Sequence, residues 1–366
     1  MDLFPNRQYE FEEKLERTRK LMRDKEIHNL LITEAHHFSW LTCGGENFVF
    51  LARSGGAAPV LITQEKIYLA ADNIEAMRLF PEEIEGLPIA DGHHLWYLTP
   101  DEIETHYQKL NPGPVVKDVE IENDLKRLHA PLCPDEIERY RWLGAKAEES
   151  IRNACIRAER GMSEYEIGAL LAKECFDREI WPVLILVAGD ERALNYRHPL
   201  PTKNPVNRHF MLVLCARRYG LIANVSRIVS YEGVDEIMRN KHKAVCRIDA
   251  AFNLSSKPGT AYGEVLKKGI AEYQNLGFEH EWQLHHQGGP TGYLGRYFKA
   301  IPTTTETVQN CQAVAWNPSI SGTKCEDTVL ITENGPEVLT KPIDWPVIKI
   351  EFDGKTMNRS DILTRE

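Results

Sequence analysis

One stretch of this 366-residue chain constrains its architecture more than any other: residues 125–161, LKRLHAPLCPDEIERYRWLGAKAEESIRNACIRAERG. Two prolines mark a connection, and the residues after it read as a long amphipathic helix that turns Ile137, Tyr140, Ala147, Ile151 and Ala158 toward a core. A helix of that length entered through such a connection separates two folding units. We place the boundary so that residues 1–127 form one domain and residues 128–366 a second, larger one, each long enough for its own core.

The segments on either side differ in pattern. QYEFEEKLERTRKLMRDKE places Phe11, Leu15 and Met22 on one helical face, and NLLITEAHHFSWLTC follows as a buried strand and turn. APVLIT and KIYLAAD read as strands, NIEAMRLF as a helix and NPGPVV as a late turn, which together make an α/β pattern. Beyond residue 128, a helix starts at Ser163, whose spacing to Glu166 fits a capping box, and another spans TAYGEVLKKGIAEYQNLG and ends at Gly277. The strand-like runs FMLVLCAR, LIANVSRIVSY, QAVAWNPS and DTVLIT lie between and after these helices, so the second domain reads as α+β.

Bulk properties narrow the partners. A formal charge of -10 and a pI near 5.8 leave no electrostatic footprint for nucleic acid. No apolar run approaches the ~18 residues that a membrane span needs, and the charged start MDLFPNRQYEFEEKLERTRK does not read as a secretory leader, so a cytoplasmic protein without membrane association is expected. The eight cysteines stand singly without a CxxC pair, which argues against both a zinc ribbon and a disulfide framework. A small-molecule or short-peptide substrate is the expected partner.

Six stretches then become specific in their order: FSWLTC, APLCPDEIERYR, AGDERALNYRHPLP, LVLCARRYGLIANVSRIV, LHHQGGPTGY and AWNPSISGTKCEDTVLITENG. This order resembles the pita-bread family of Xaa-Pro dipeptidases, Xaa-Pro aminopeptidases and methionine aminopeptidases, to which metal-free creatinase also belongs. The resemblance covers nearly the whole chain. It implies an α+β pita-bread domain preceded by a smaller α/β domain like the amino-terminal domain of creatinase, and it implies a homodimer.

The resemblance also shows what is missing. Metallopeptidases of the family share five ligands: two aspartates, a histidine and two glutamates. Matching the stretches puts Cys215 and Asn224 at the aspartates, Gly289 at the histidine and Asn317 at the first glutamate, and keeps only Glu326 at the second. Arg296 falls near a further active-site histidine of the peptidases. Two adjacent divalent ions need several anionic oxygen or imidazole ligands, and an added arginine repels them, so neither a metal nor another cofactor is expected. His198 matches the histidine beside the substrate, the acid/base of creatinase, and His285 matches a second site histidine.

The residues themselves suggest chemistry of the same kind. A histidine such as His198 titrates near neutrality and passes a proton both ways. Glu326 and Asp327 are neighbours on an expected strand, so they point to opposite faces and one of them enters a pocket. Arg227 and Arg296 suit bidentate recognition of a carboxylate. His285 and His286 on an extended segment would point apart. Cys215, in the apolar run MLVLCAR, reads as a buried, inert thiol. Trp40 packs the first domain or, as dimers of the family imply, lines a shared pocket.

The leading expectation is a metal-independent hydrolase, or a lyase, acting at a C–N bond of a small polar substrate. His198, Glu326 and His285 would be catalytic, with Arg227, Arg296, Asn317, Asn224 and Trp40 binding the substrate. Creatine itself is not expected, because Asn317 stands where creatinase-like proteins keep a carboxylate. The alternatives are an Xaa-Pro metallopeptidase with an unusual metal site and a non-catalytic pita-bread protein that binds a peptide or protein. The hydrolase requires His198, Glu326 and Arg296 to converge; a non-catalytic protein does not.

Overall fold

The computed structural model describes residues 3–365. In the first unit, residues 3–139 with Tyr219–Leu221, the helix α1 Arg7–Asp24 buries Phe11, Leu15 and Met22 as its spacing predicts. The same face also buries two charges, Glu10 and Lys14. They are tolerated because they are paired. The Lys14 ammonium lies 2.7 Å from both Glu10 and Glu136 and 2.9 Å from the Trp40 carbonyl, and Arg139 donates to Glu10 at 2.6 Å.

The sheet of this unit has five strands: β1 Asn29–Glu34, β2 Gly55–Ile62, β3 Ile67–Leu69, β4 Ala90–Asp91 and β5 Val115–Lys117, ordered β4-β3-β2-β1-β5. β1 runs antiparallel to β2 and parallel to β5. A turn was expected after β1, but the chain enters the short helix α2 Ala35–Leu41, every residue of which is buried. Its side chains, the polar His36, His37 and Ser39 included, pack inside the unit and do not face solvent as those of a surface turn would. The helices α3 Asn73–Glu82, α4 Pro100–Leu110 and α5 Glu122–Leu128 complete the unit; α4 is held at its start by a capping box between Thr99 and Glu102.

The division from the second unit falls within α6 Pro134–Arg157. α7 Glu164–Phe176 begins with the expected capping box, the Ser163 hydroxyl accepting from the Glu166 amide at 3.2 Å and the Glu166 carboxylate accepting from the Ser163 amide at 2.7 Å. β6 Trp181–Gly189, α8 Glu191–Asn195, β7 His209–Arg218 and β8 Leu221–Ser230 follow, then the paired helices α9 Glu236–Ser255 and α10 Tyr262–Asn275. Gly277, with φ of +79°, ends the last of these, as expected.

A second sheet contains β9 Gly288–Thr291 and β10 Gln312–Trp316. The two-residue strands β11 Ser319–Ile320 and β12 Thr323–Lys324 form a small hairpin. β13 Val329–Thr332 and β14 Gly335–Val338 complete the order β14-β13-β10-β9. β15 Val347–Phe352 pairs with β16 Lys355–Ser360, and β17 Leu363–Thr364 joins β8, β7 and β6 in the order β17-β8-β7-β6. The main core lies between α9, α10 and the strands, where Trp316 stacks on Phe252 at 4.7 Å. No helix among the described residues is long and apolar enough to cross a membrane.

A buried charge network ties β8 to the segment after β12. Arg227 pairs with Glu148 and, at 3.1 Å, with Asp327; Arg359 reaches Asp327 at 2.6 Å and Asp249 at 2.7 Å. None of these side chains touches solvent. The assignment of Arg227 to substrate recognition is therefore corrected: its guanidinium is fully buried and occupied by carboxylates of the fold. Trp40 is corrected for a similar reason, since its ring is 2% exposed and stacks on His129 at 5.1 Å inside the first unit.

Candidate active site

Four segments of the second unit bring polar side chains together. The loop after α8 carries Arg197 and His198, and the stretch between the 3-10 turn Glu281–Leu284 and β9 carries His285 and His286. The loop after β9 supplies Arg296, and β12 with its extension supplies Lys324 and Glu326.

His198 and His285 meet through their Nε2 atoms at 3.1 Å. The expectation that His285 and His286 point apart is corrected: their rings stack at 4.4 Å, and the His286 ring also lies 5.8 Å from that of His198. Strand alternation does not govern this pair, because regular pairing starts only at Gly288, whose φ is +103°.

Glu326 is 3% exposed and sits between two cations, with the Lys324 ammonium at 2.6 Å and Arg296 Nη2 at 2.9 Å. Its neighbour Asp327 points the other way into the buried network, as expected, although both residues lie in the irregular link between β12 and β13 and not on a strand. Burial alone would raise the carboxyl pKa of Glu326, but Lys324 and Arg296 outweigh it and hold the group below the usual carboxylate range. Glu326 is thus an anion that positions two cations.

The imidazoles respond to burial and to the same cations. His198 is lowered by burial, then by Lys324 and Lys299. His286 falls to about 4 through burial, Arg296 and Lys299, and His285 to about 2 through burial, Lys324 and the other two histidines. All three are neutral near pH 7. For His285 the fall is from the ordinary imidazole value of 6.5. Between those values the unfolded chain holds the additional proton, so this group's contribution to stability is constant above about pH 6.5 and declines as pH drops toward 2. A His285→Asn variant should therefore gain melting temperature relative to the parent below pH 6.5. A difference independent of pH would contradict this origin.

The sequence-predicted residues thus divide. His198, His285, Arg296 and Glu326 converge. The side chain of Asn224 is spent on the fold, its amide donating to the Thr291 hydroxyl at 3.2 Å, so its substrate-binding assignment is corrected. Asn317 is buried with its Oδ1 unpartnered. Cys215 is a protonated thiol, pushed up to about 12 by burial and by Glu326.

Lys324, Lys299 and His286 were missed. Lys324 stands two residues before Glu326, so strand alternation alone was a signal that both share a face. Beside His285 and Lys324 lies a small cavity of about 10 Å³, also bounded by Ala193, Tyr196, Met211 and Thr323, with room for about one water.

The donor set does not fit a pair of divalent ions. Its one carboxylate already carries two cations, the Cys215 thiol is protonated, and position 289 has no side chain. At Gly289 the backbone has φ of +152°, and a Cβ would lie 2.5 Å from the Phe298 carbonyl oxygen. Gly289→His should accordingly lower stability by about 1–3 kcal/mol without creating metal affinity. Unfolding and metal titrations of the variant check both halves. The imidazoles of His198, His285 and His286 have ligand atoms within 4.8 Å of one another and could take one ion, although Lys324 and Arg296 beside them oppose a cation.

No protein-family model matches the sequence, and no curated protein does. Solved structures do match over nearly full length. Prolidase from Pyrococcus horikoshii OT3 is 18% identical, with 90% of this chain and 98% of that one covered and a TM-score of 0.72. Xaa-Pro dipeptidase from Bacillus anthracis is 15% identical, with 97% and 100% covered and the same TM-score of 0.72. This chain has the pita-bread fold. The N-terminal domain of the FACT complex subunit SPT16 from Cicer arietinum also matches, at 11% identity, 94% and 97% coverage and a TM-score of 0.69. The pita-bread architecture therefore occurs in proteins whose names denote peptidases and in one whose name does not, and function has to be argued from the site.

Proposed function

We propose that the chain is a hydrolase that cleaves a C–N bond of a small polar substrate carrying a carboxylate, without a dinuclear metal centre. The observation that supports this best is the convergence of neutral His198 with the Lys324–Glu326–Arg296 cluster, in which two cations face one carboxylate. Glu326 holds Lys324 and Arg296 in place, and their surplus positive charge anchors the substrate anion. His198 takes a proton from water as that water adds to the electrophilic carbon. It then returns the proton to the nitrogen as the C–N bond breaks. His285, kept neutral, orients His198 through the contact between their Nε2 atoms.

A non-catalytic role in binding a peptide or protein is the second reading, favoured by the small volume beside His285 and by the fold match to a protein not named as a peptidase. The experiment is a turnover screen of carboxylate-bearing guanidino, amide and cyclic amidine compounds alongside Xaa-Pro dipeptides, run with chelator and with added manganese or cobalt. Chelator-resistant cleavage of the small compounds supports the hydrolase. Cleavage of Xaa-Pro dipeptides only with metal would replace it with a metallopeptidase that has an unusual site, and peptide binding without turnover would support the second reading.

A further inference from the structure

The first unit contains another cluster of metal-ligating side chains, formed by two elements far apart in sequence. His36 and His37 are consecutive on α2, and Glu122 is the first residue of α5. Their candidate ligand atoms all lie within 4.8 Å of one another. His37 Nε2 lies 2.7 Å from Glu122 Oε2, and His36 Nε2 lies 3.3 Å from Glu122 Oε1 without completing a hydrogen bond. The His36 side chain is only 7% exposed, so its Nε2 is a buried, unpartnered nitrogen aimed at a carboxylate.

We propose that His36 Nε2, His37 Nε2 and the Glu122 carboxylate form a mononuclear site for a divalent d-block cation such as zinc or cobalt. Two imidazoles and one carboxylate are borderline donors that suit such ions and leave positions open for water. A tetrahedron with bonds of ~2.1 Å has edges of ~3.4 Å, so the three groups need to shift only slightly to close on an ion.

The surroundings match what ligating histidines require. The Nδ1 of His37 faces His129 Nε2 at 3.0 Å, so Nδ1 has an acceptor to hold the ring proton once Nε2 gives up its proton to bind an ion in place of its contact with Glu122. His129 is in turn stacked against Trp40. The Nδ1 of His36 faces the Glu34 carboxylate at 3.9 Å.

One group competes. The Lys126 ammonium lies 2.8 Å from Glu122 Oε1 and is 23% exposed, so it can swing into solvent when an ion arrives. Removing it should tighten binding, a sign that a purely structural ion-pair cluster would not predict.

The test is titration of chelator-stripped full-length protein with cobalt, followed by its visible absorption, and with zinc in competition. One equivalent per chain is expected. His36→Gln and Glu122→Gln should weaken affinity by at least ~10-fold. Lys126→Gln should strengthen it, and His285→Gln, in the other histidine cluster, should leave it unchanged. Failure of the parent to bind, loss of binding with His285→Gln, or affinity in Lys126→Gln equal to that of the parent would each overturn the site. The Lys126 side chain is half-buried at the edge of the cluster and packs no core, so its variant decides the matter even where a His36 variant does not fold.

Discussion

His198→Gln should lower kcat for the proposed C–N bond hydrolysis by roughly 10²–10⁴-fold with KM little changed. The side chain lies on an exposed loop, and its one polar contact to another site residue is the Nε2 pairing with His285 at 3.1 Å, so folding does not depend on it. Glutamine keeps a polar group there but cannot take and return a proton. Because burial and the neighbouring cations lower its pKa, the acid limb of kcat/KM for the parent should fall below the ordinary imidazole value of 6.5, and activity should be flat above it. His198→Gln should remove that limb. Pre-steady-state and steady-state rates across pH read both effects. A variant that retains parental kcat would eliminate His198 as the acid/base.

Asp327→Ala should destabilise the second unit by about 3–5 kcal/mol, the usual result of deleting one partner of a buried ion pair. Asp327 accepts from Arg227 at 3.1 Å, from Arg359 at 2.6 Å and from the Thr340 hydroxyl at 2.8 Å. Without it, two arginines out of contact with solvent share only Glu148 and Asp249. Burial already pushes Glu148 up to about 7 in spite of Arg227, so that acid is a weak substitute near neutral pH. Asp327→Asn keeps an acceptor and should lose less. Denaturant unfolding of the three proteins orders them, and a loss under ~1 kcal/mol for the alanine variant would show that water or relaxation satisfies both arginines.

What was legible in the sequence was what depends on near neighbours. The apolar face of α1 and the capping box at Ser163 follow from helical periodicity and spacing over a few residues, and the opposed directions of the neighbours Glu326 and Asp327 were anticipated although no strand holds them. The fold itself was legible from six stretches in order. The misread residues depend on distant partners: Arg227 meets Glu148 across 79 positions and Asp327 across 100. Nothing local separates an arginine bound for a buried network from one bound for a substrate. His36 and His37 went unremarked for the same reason, because Glu122 approaches them from 85 residues away. His286 was lost to a strand rule applied where no strand exists.

The crowding at Gly289 has a bearing on evolution and on engineering. The Phe298 carbonyl fills the space that a side chain at 289 would occupy, and the backbone angle there disfavours any residue with a Cβ. A mutation that placed histidine at this codon would meet a loop that already occupies the space its side chain needs. Engineering any side chain at 289 has to begin with the course of residues 292–300, since the Phe298 carbonyl and the Ala300 amide crowd that position.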